Sequence, residues 1–223
     1  RSPMPEEMAA QMPLLQETLV ASGLPLLAEP GFEADDVMAS VACAAEKAGF
    51  ERVFLITKDK DLSQIVSDVI HQFHLEKGAD GIDFGPDEVL KKYGVPPSQI
   101  RDYLALMGDS SDNVPGVPKV GPKTAVQLLE KFGNMDNLYA HLDEIEKKGL
   151  HDNLAQNKEN AFLSRELVTL QCARGFSGTL EQLEFQGLAS DALSDVFRAN
   201  ELRQLERLLE KIPSRSGWVS SQE

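Results

Sequence analysis

The strands of this chain stop at Phe84. Before it, short apolar runs alternate with helical periods. Pro25 to Ala28, Arg52 to Thr57 (RVFLIT) and Val69 to Leu75 read as strands, with helices over Ala34 to Ala48 and Leu62 to Val66. That alternation predicts an α/β sheet with buried parallel strands. Asp80-Gly81 marks a turn into Ile82-Asp83-Phe84, an edge hairpin. Beyond it, Pro86 to Tyr93, Pro97 to Met107, Pro122 to Phe132, Met135 to Ile145 and Lys158 to Leu170 all carry helical periodicity. Several open with Pro, whose missing N–H costs nothing in a first turn. The chain therefore reads as an α/β part followed by an all-α module.

The flanks are less regular. Pro5 to Ser22 reads as an amphipathic helix kinked at Pro13. From Gly175 the pattern weakens to a β-like stretch near Leu183 to Phe185 and a helix from Glu201 to Lys211. The expected organisation is an α/β part over 1–84, a helical module over 85–175, a segment over 176–212 packing back, and a mobile Ser-rich tail over 213–223.

Function classes narrow with composition. Of 223 residues 42% are hydrophobic, which fits a globular protein, and no apolar run approaches the length of a membrane span. Cys43 and Cys172 lack metal-ligand spacing and read as reduced, buried residues of a cytosolic protein. His71, His74, His141 and His151 show no ligand spacing either and read as surface or packing residues. A net charge of −14 argues against nucleic acid, unless many acids are metal ligands and the basic residues are local. Between Pro115 and Lys131 the charges are Lys119, Lys123, Glu130 and Lys131, a net positive stretch.

Three acidic clusters fall at element boundaries. Glu33, Asp35 and Asp36 open a helix, Asp59 and Asp61 follow the RVFLIT strand, and Asp109 and Asp112 follow a helix end. Each has an ordinary reading: helix dipoles favour acids at N-termini, and Asp-x-Asp is common in loops. In an open α/β sheet, however, ligands gather beyond the carboxyl ends of strands. Seven carboxylates packed without cations would repel one another, whereas Mg²⁺ or Mn²⁺ prefers such hard oxygens. Two such ions together would suit phosphodiester hydrolysis. Next to Asp112 lies Gly116-Val117-Pro118-Lys119-Val120-Gly121, followed by a helix opening with Pro122, Lys123 and Thr124. Gly allows close backbone approach, and N–H groups at a helix start hold phosphate without reading bases. The plain alternative is a turn between packed helices.

The strings GFEADDVMASVA (Gly31 to Ala42), FLITKDKDLSQIV (Phe54 to Val66) and LALMGDSSDNVPGVPKVGPKTA (Leu104 to Ala125) carry a resemblance. In order and spacing they resemble the 5′-nuclease family, in particular the 5′–3′ exonuclease domains that open bacterial DNA polymerase I. The resemblance implies a PIN-like α/β domain, here partial at its start, with a helix-three-turn-helix DNA-binding module. It implies two Mg²⁺ (or Mn²⁺) ions, with Glu33, Asp35, Asp36 and Asp59 about the first and Asp61, Asp109 and Asp112 about the second. It implies a hairpin of Gly116, Val117, Val120 and Gly121 that holds DNA, with a K⁺ ion at its carbonyls; Lys119, Lys123 and Thr124 join that DNA-binding set. The implied partner is DNA with a 5′ flap, nick or 5′ end, or an RNA primer–DNA hybrid. The implied setting is a bacterial cytoplasmic, nucleoid-associated monomer or part of a larger polymerase chain, with no membrane.

The family's pattern also holds an earlier strand with an Asp, a second Asp after another strand, and a basic arch. None of these lies within this sequence, whose start resembles the point just past the arch. Lys119 departs from a frequent Gly. The expected activity is metal-dependent 5′–3′ exonuclease or flap endonuclease cleavage, in primer removal and repair. The alternative is a module that binds flap or nicked DNA without cleaving it. A phosphatase built on Asp59-Lys60-Asp61 would leave the hairpin unexplained.

Overall fold

The protein was analysed as a computed structural model. The structure describes residues 4–76, 80–172 and 175–212; the expected mobile tail over 213–223 lies outside them. The helices are α1 (Glu6–Ala9), α2 (Met12–Ala21), α3 (Ala34–Lys47), α4 (Pro86–Tyr93), α5 (Pro97–Met107), α6 (Pro122–Phe132), α7 (Met135–Ala140), α8 (Lys148–Gln156), α9 (Lys158–Val168), α10 (Ser190–Ala199) and α11 (Arg203–Leu209). Three strands form one sheet in the order β1 (Val53–Leu55), β2 (Ile70–His74), β3 (Ile82–Phe84). β1 pairs parallel with β2, with Val53 opposite Ile70. β2 pairs antiparallel with β3, with Gln72 opposite Phe84. Short 3₁₀ turns are common connectors; here they cover Asp61–Ile65, Leu142–Glu144 and Leu180–Leu183.

Residues 29–177 form one compact unit, and residues 1–28 with 178–223 form a second. The first unit has two apolar clusters. The larger joins α4 to α9, with Leu104, Leu106, Leu129, Leu138 and Leu154 almost fully buried. The smaller lies under the sheet, where Ala39 and Ala42 of α3 meet Leu55, Leu62 and Ile70. Small residues on that face of α3 let the helix lie close to the strands. In the second unit α10 packs on α2 and α11, and the Ala189 N–H donates to the Ser22 carbonyl at 3.0 Å.

Several expectations need correction. The helix over Pro5 to Ser22 is broken rather than kinked, because the Pro13 ring conflicts with the carbonyl of Ala9, where α1 ends. Pro25 to Ala28 is not a strand, as it finds no strand to pair with among the described residues. The helix from Met135 ends at Ala140, since His141 leaves helical geometry at φ −127°, ψ 40°. Glu201 cannot start a helix at φ +56°, so α11 begins at Arg203. The stretch over Leu183 to Phe185 follows a 3₁₀ turn instead of forming a strand. Helices α8 and α10 have no counterpart in the sequence reading. Cys43 and Cys172 are free and half-buried; burial, and then the nearby Cys172 thiol, pushes the Cys43 thiol up to about 12.

Candidate active site and nucleic-acid interface

The loop after β1 sets up the acidic residues. Leu55 is buried at the end of β1, and the next turn is tied to β2 through Gln72. Gln72 is 1% exposed, and its amide donates to the carbonyl of Asp59 at 2.6 Å. The Asp59 N–H is bonded to Thr57 Oγ1 at 3.1 Å, and Asp59 Oδ1 accepts the N–H of Asp61 at 3.1 Å. These bonds leave Asp59 exposed while the 3₁₀ turn over Asp61–Ile65 drives Leu62 into the core and turns Asp61 inward. Oδ1 of Asp61 is buried and has no hydrogen-bond donor among the described residues. Burial, then Asp59, pushes its pKa up to about 6; Asp109 and Asp112 add to this and Lys60 opposes it.

Asp109 enters from the opposite direction. Gly108 ends α5 at φ +76°, and a two-way backbone bridge joins Asp109 to Val114 at 2.9 and 2.8 Å. Oδ1 of Asp109 accepts the N–H of Ser111 at 2.9 Å and the Ser111 hydroxyl. Its Oδ2 is ion-paired with Lys60 Nζ. Burial raises its pKa, but Lys60 and Ser111 more than reverse this and hold the carboxyl at about 2. Asp112 is exposed on the same turn, close enough to act on Asp61 and Lys60.

The other cluster opens α3. Glu33 is its N-cap, and Asp35 and Asp36 lie in the first turn. Burial raises the pKa of Asp35; the Asp36 N–H opposes this, and the charges of Asp36, Glu33 and Asp59 add to it. Asp36 faces elsewhere: its Oδ1 accepts the N–H of Gln171 at 2.7 Å. One turn on, Ser40 donates to the Gln171 carbonyl at 3.0 Å and accepts the Gly175 N–H at 2.9 Å. A Cβ at Gly175 would come within 2.7 Å of the Asp36 carbonyl, so this approach needs glycine. Ser40, Gln171 and Gly175 were not apparent from sequence, since no local pattern ties α3 to a segment so distant.

The fold thus brings Asp59, Asp109 and Asp112 within electrostatic reach of Asp61, and Asp35 within reach of Asp59. Among the described residues no three His, Cys, Asp or Glu stand where they could share one metal ion. Two of these acids are engaged by other groups: Lys60 is ion-paired with Asp109, and the Gln171 N–H donates to Asp36. The donor chemistry nonetheless suits a divalent ion, with hard oxygens throughout and a buried carboxylate oxygen on Asp61 lacking a donor.

The hairpin beyond Val114 is built from backbone. Gly116 sits at φ +62°, and a Cβ there would fall 2.5 Å from the Gly108 nitrogen. Its N–H donates to buried Ser164 Oγ at 2.8 Å. Val117 and Val120, expected to face DNA, are 1% and 4% exposed. Their N–H groups are bonded to the carbonyls of Leu106 and Val117. Lys119 is exposed and left-handed at φ +64°, which accounts for the fit of Gly at such a position. Gly121 caps α6 with no side-chain bond and open space beside it, and Pro122 follows in the first turn. The N–H groups of Lys119, Gly121, Lys123 and Thr124 have no acceptor among the described residues. With the Lys119 and Lys123 side chains exposed, this is an open anion cradle.

Family models match the chain in two consecutive pieces. Residues 1–94 match the 5′–3′ exonuclease N-terminal resolvase-like domain, and residues 95–191 match the 5′–3′ exonuclease C-terminal SAM fold. The chain belongs to the 5′–3′ exonuclease family. The acids from Glu33 to Asp36 and Asp59 to Asp61 fall on the first piece, and Asp109, Asp112 and the hairpin fall on the second. Bacillus caldotenax DNA polymerase I is 39% identical over 217 residues, covering 97% of this chain and 24% of that protein. The exonuclease chain thus spans about a quarter of the length of the curated relatives it matches. Among solved structures, T5 5′-exonuclease with bound zinc aligns at TM-score 0.65 and 22% identity, covering 94% of this chain and 72% of that one. A bacteriophage T5 flap endonuclease in a product complex with DNA and metal ions aligns at TM-score 0.65 and 22% identity, covering 89% and 73%. These likenesses establish the fold expected from sequence, a PIN-like α/β part followed by an all-α module, which the family model describes as a SAM fold.

Proposed function

We propose that this chain is the 5′–3′ exonuclease or flap endonuclease part of a DNA polymerase I, hydrolysing phosphodiester bonds of DNA that carries a 5′ flap, nick or 5′ end, including RNA primer–DNA hybrids. The observation that carries the reading is the adjacency of one turn's two products. Asp109 and Asp112 leave the end of α5 toward Asp61, and a few residues later the same backbone forms the open cradle at α6. A duplex held by its phosphates at Lys119, Gly121 and Lys123 would lie beside the carboxylates.

In this reading Glu33, Asp35 and Asp59 would hold one Mg²⁺ or Mn²⁺ and Asp61, Asp109 and Asp112 a second, with Asp36 at the edge of the first. When bound, such ions activate water and stabilise the leaving oxygen. The chain's own groups do the rest. The cradle orients the backbone without reading sequence. The Gln72–Asp59 bond fixes the loop that presents Asp59 and Asp61. A K⁺ ion at the hairpin carbonyls belongs to the same proposal.

The test is cleavage of a 5′-flap DNA in Mg²⁺ or Mn²⁺. Asp59→Ala and Asp112→Ala are each expected to abolish it while leaving flap binding in place. Cleavage indifferent to both substitutions would overturn the carboxylate roles. A second reading, DNA binding without cleavage, is favoured by the Lys60–Asp109 pair, and absence of cleavage with retained salt-sensitive binding would support it.

A further inference from the structure

Lys60 stands among the second set of carboxylates, and the chemistry proposed above makes no use of it. Its ammonium is ion-paired with Oδ2 of Asp109, while Ser111 holds Oδ1. The Lys60 side chain is 33% exposed and that of Asp109 7%, so the pair is sheltered from water. Sheltering makes the pair hard to break from one side: removing the ammonium alone leaves a buried, uncompensated carboxylate. Close by, Oδ1 of Asp61 is buried without a donor, and no three described acids converge on a shared point.

The ammonium bears directly on Asp109. It is a monovalent cation on a tether, and while it rests on a carboxylate oxygen a divalent ion cannot take that oxygen. We infer that Lys60 is a resident counter-ion, neutralising Asp109 until a divalent metal arrives and withdrawing from Oδ2 when the metal binds. The inference rests on the metal-binding reading above. Lysine suits the role better than arginine, because its single charged nitrogen lies on a flexible stem and makes no bidentate fork to anchor it.

Two measurements test this in the full chain without DNA: calorimetric titration with Mn²⁺, and thermal unfolding in EDTA. Lys60→Met is expected to unfold at lower temperature in EDTA and to bind Mn²⁺ at least about tenfold more tightly, about 1.4 kcal/mol. The double variant Lys60→Met with Asp109→Asn leaves no unpaired charge. It should recover unfolding temperature in EDTA and lose the gain in Mn²⁺ affinity. Wild-type Mn²⁺ affinity in Lys60→Met overturns the inference and leaves the metal reading standing. Absence of Mn²⁺ binding in both wild type and Lys60→Met overturns both. A third measurement uses the wild type alone: acylation of Lys60 by a water-soluble active ester, read by peptide mass spectrometry. It should be faster at saturating Mn²⁺ than in EDTA, and equal rates overturn the inference.

Discussion

Asp61 is the residue at which packing and charge conflict most sharply. Its carboxyl titrates at about 6, against an ordinary value of 3.8, chiefly because the turn after β1 buries it. A raised carboxyl pKa means that the folded state holds a proton the unfolded state releases. Stability therefore falls as pH rises from about 4 to 6, and the penalty is complete at neutral pH. Asp61→Asn removes the penalty without removing the shape. In EDTA it is expected to stabilise the protein by about 1–2 kcal/mol at pH 7.5 and by almost nothing near pH 3.5, as measured by urea unfolding. Asp109 behaves oppositely. Its carboxyl is held near 2, so its contribution is present above pH 4 and lost as pH falls toward 2. Two aspartates of one acidic set thus pull the stability curve in contrary directions, and the difference is that Lys60 and Ser111 bond only to Asp109.

At the scale of elements, the hairpin is where local sequence spoke most clearly. Its glycines and prolines are read from chain chemistry alone, and the helices that begin at Pro86, Pro97 and Pro122 have the bounds expected of them. The roles within the hairpin were less legible. A valine between glycines gives no sign of facing core or solvent, and only the fold shows Val117 and Val120 turned inward. The two glycines also differ in kind. Gly116→Ala would force a methyl into the backbone of Gly108 at a left-handed position, and should cost at least about 2 kcal/mol in thermal or urea unfolding. Gly121→Ala has ordinary φ and open space, so it should leave stability within about 0.5 kcal/mol. Its methyl would lie where a phosphate approaches, and flap-DNA affinity should fall. A loss of stability equal to that of Gly116→Ala would show that Gly121 is architectural.

Across the whole molecule, the net charge of −14 is a poor guide to any single surface. Asp61, Asp109 and Asp112 act on Lys60, whereas the first turn of α6 carries no acid and exposes Lys123, with Lys119 exposed just before it. Binding of duplex DNA should therefore weaken steeply with salt, and Lys119→Ala and Lys123→Ala should each lower the salt slope by about one, uniformly across sequences. An unchanged slope in both would place the contact elsewhere. What sequence could not supply was long-range closure. The acids of α3 were legible as a cluster, but the bond between Asp36 and Gln171 joins residues 135 apart, and no periodicity encodes it.

That latch has a consequence in time. A contact spanning so much chain cannot form until the intervening helices have collapsed and shortened the loop between its ends. The face of α3 that carries Ala39 and Ala42 packs on Leu55, Leu62 and Ile70, which are far nearer in sequence than Gln171. In a refolding chain that packing face, closed by nearer contacts, should form before the latch does.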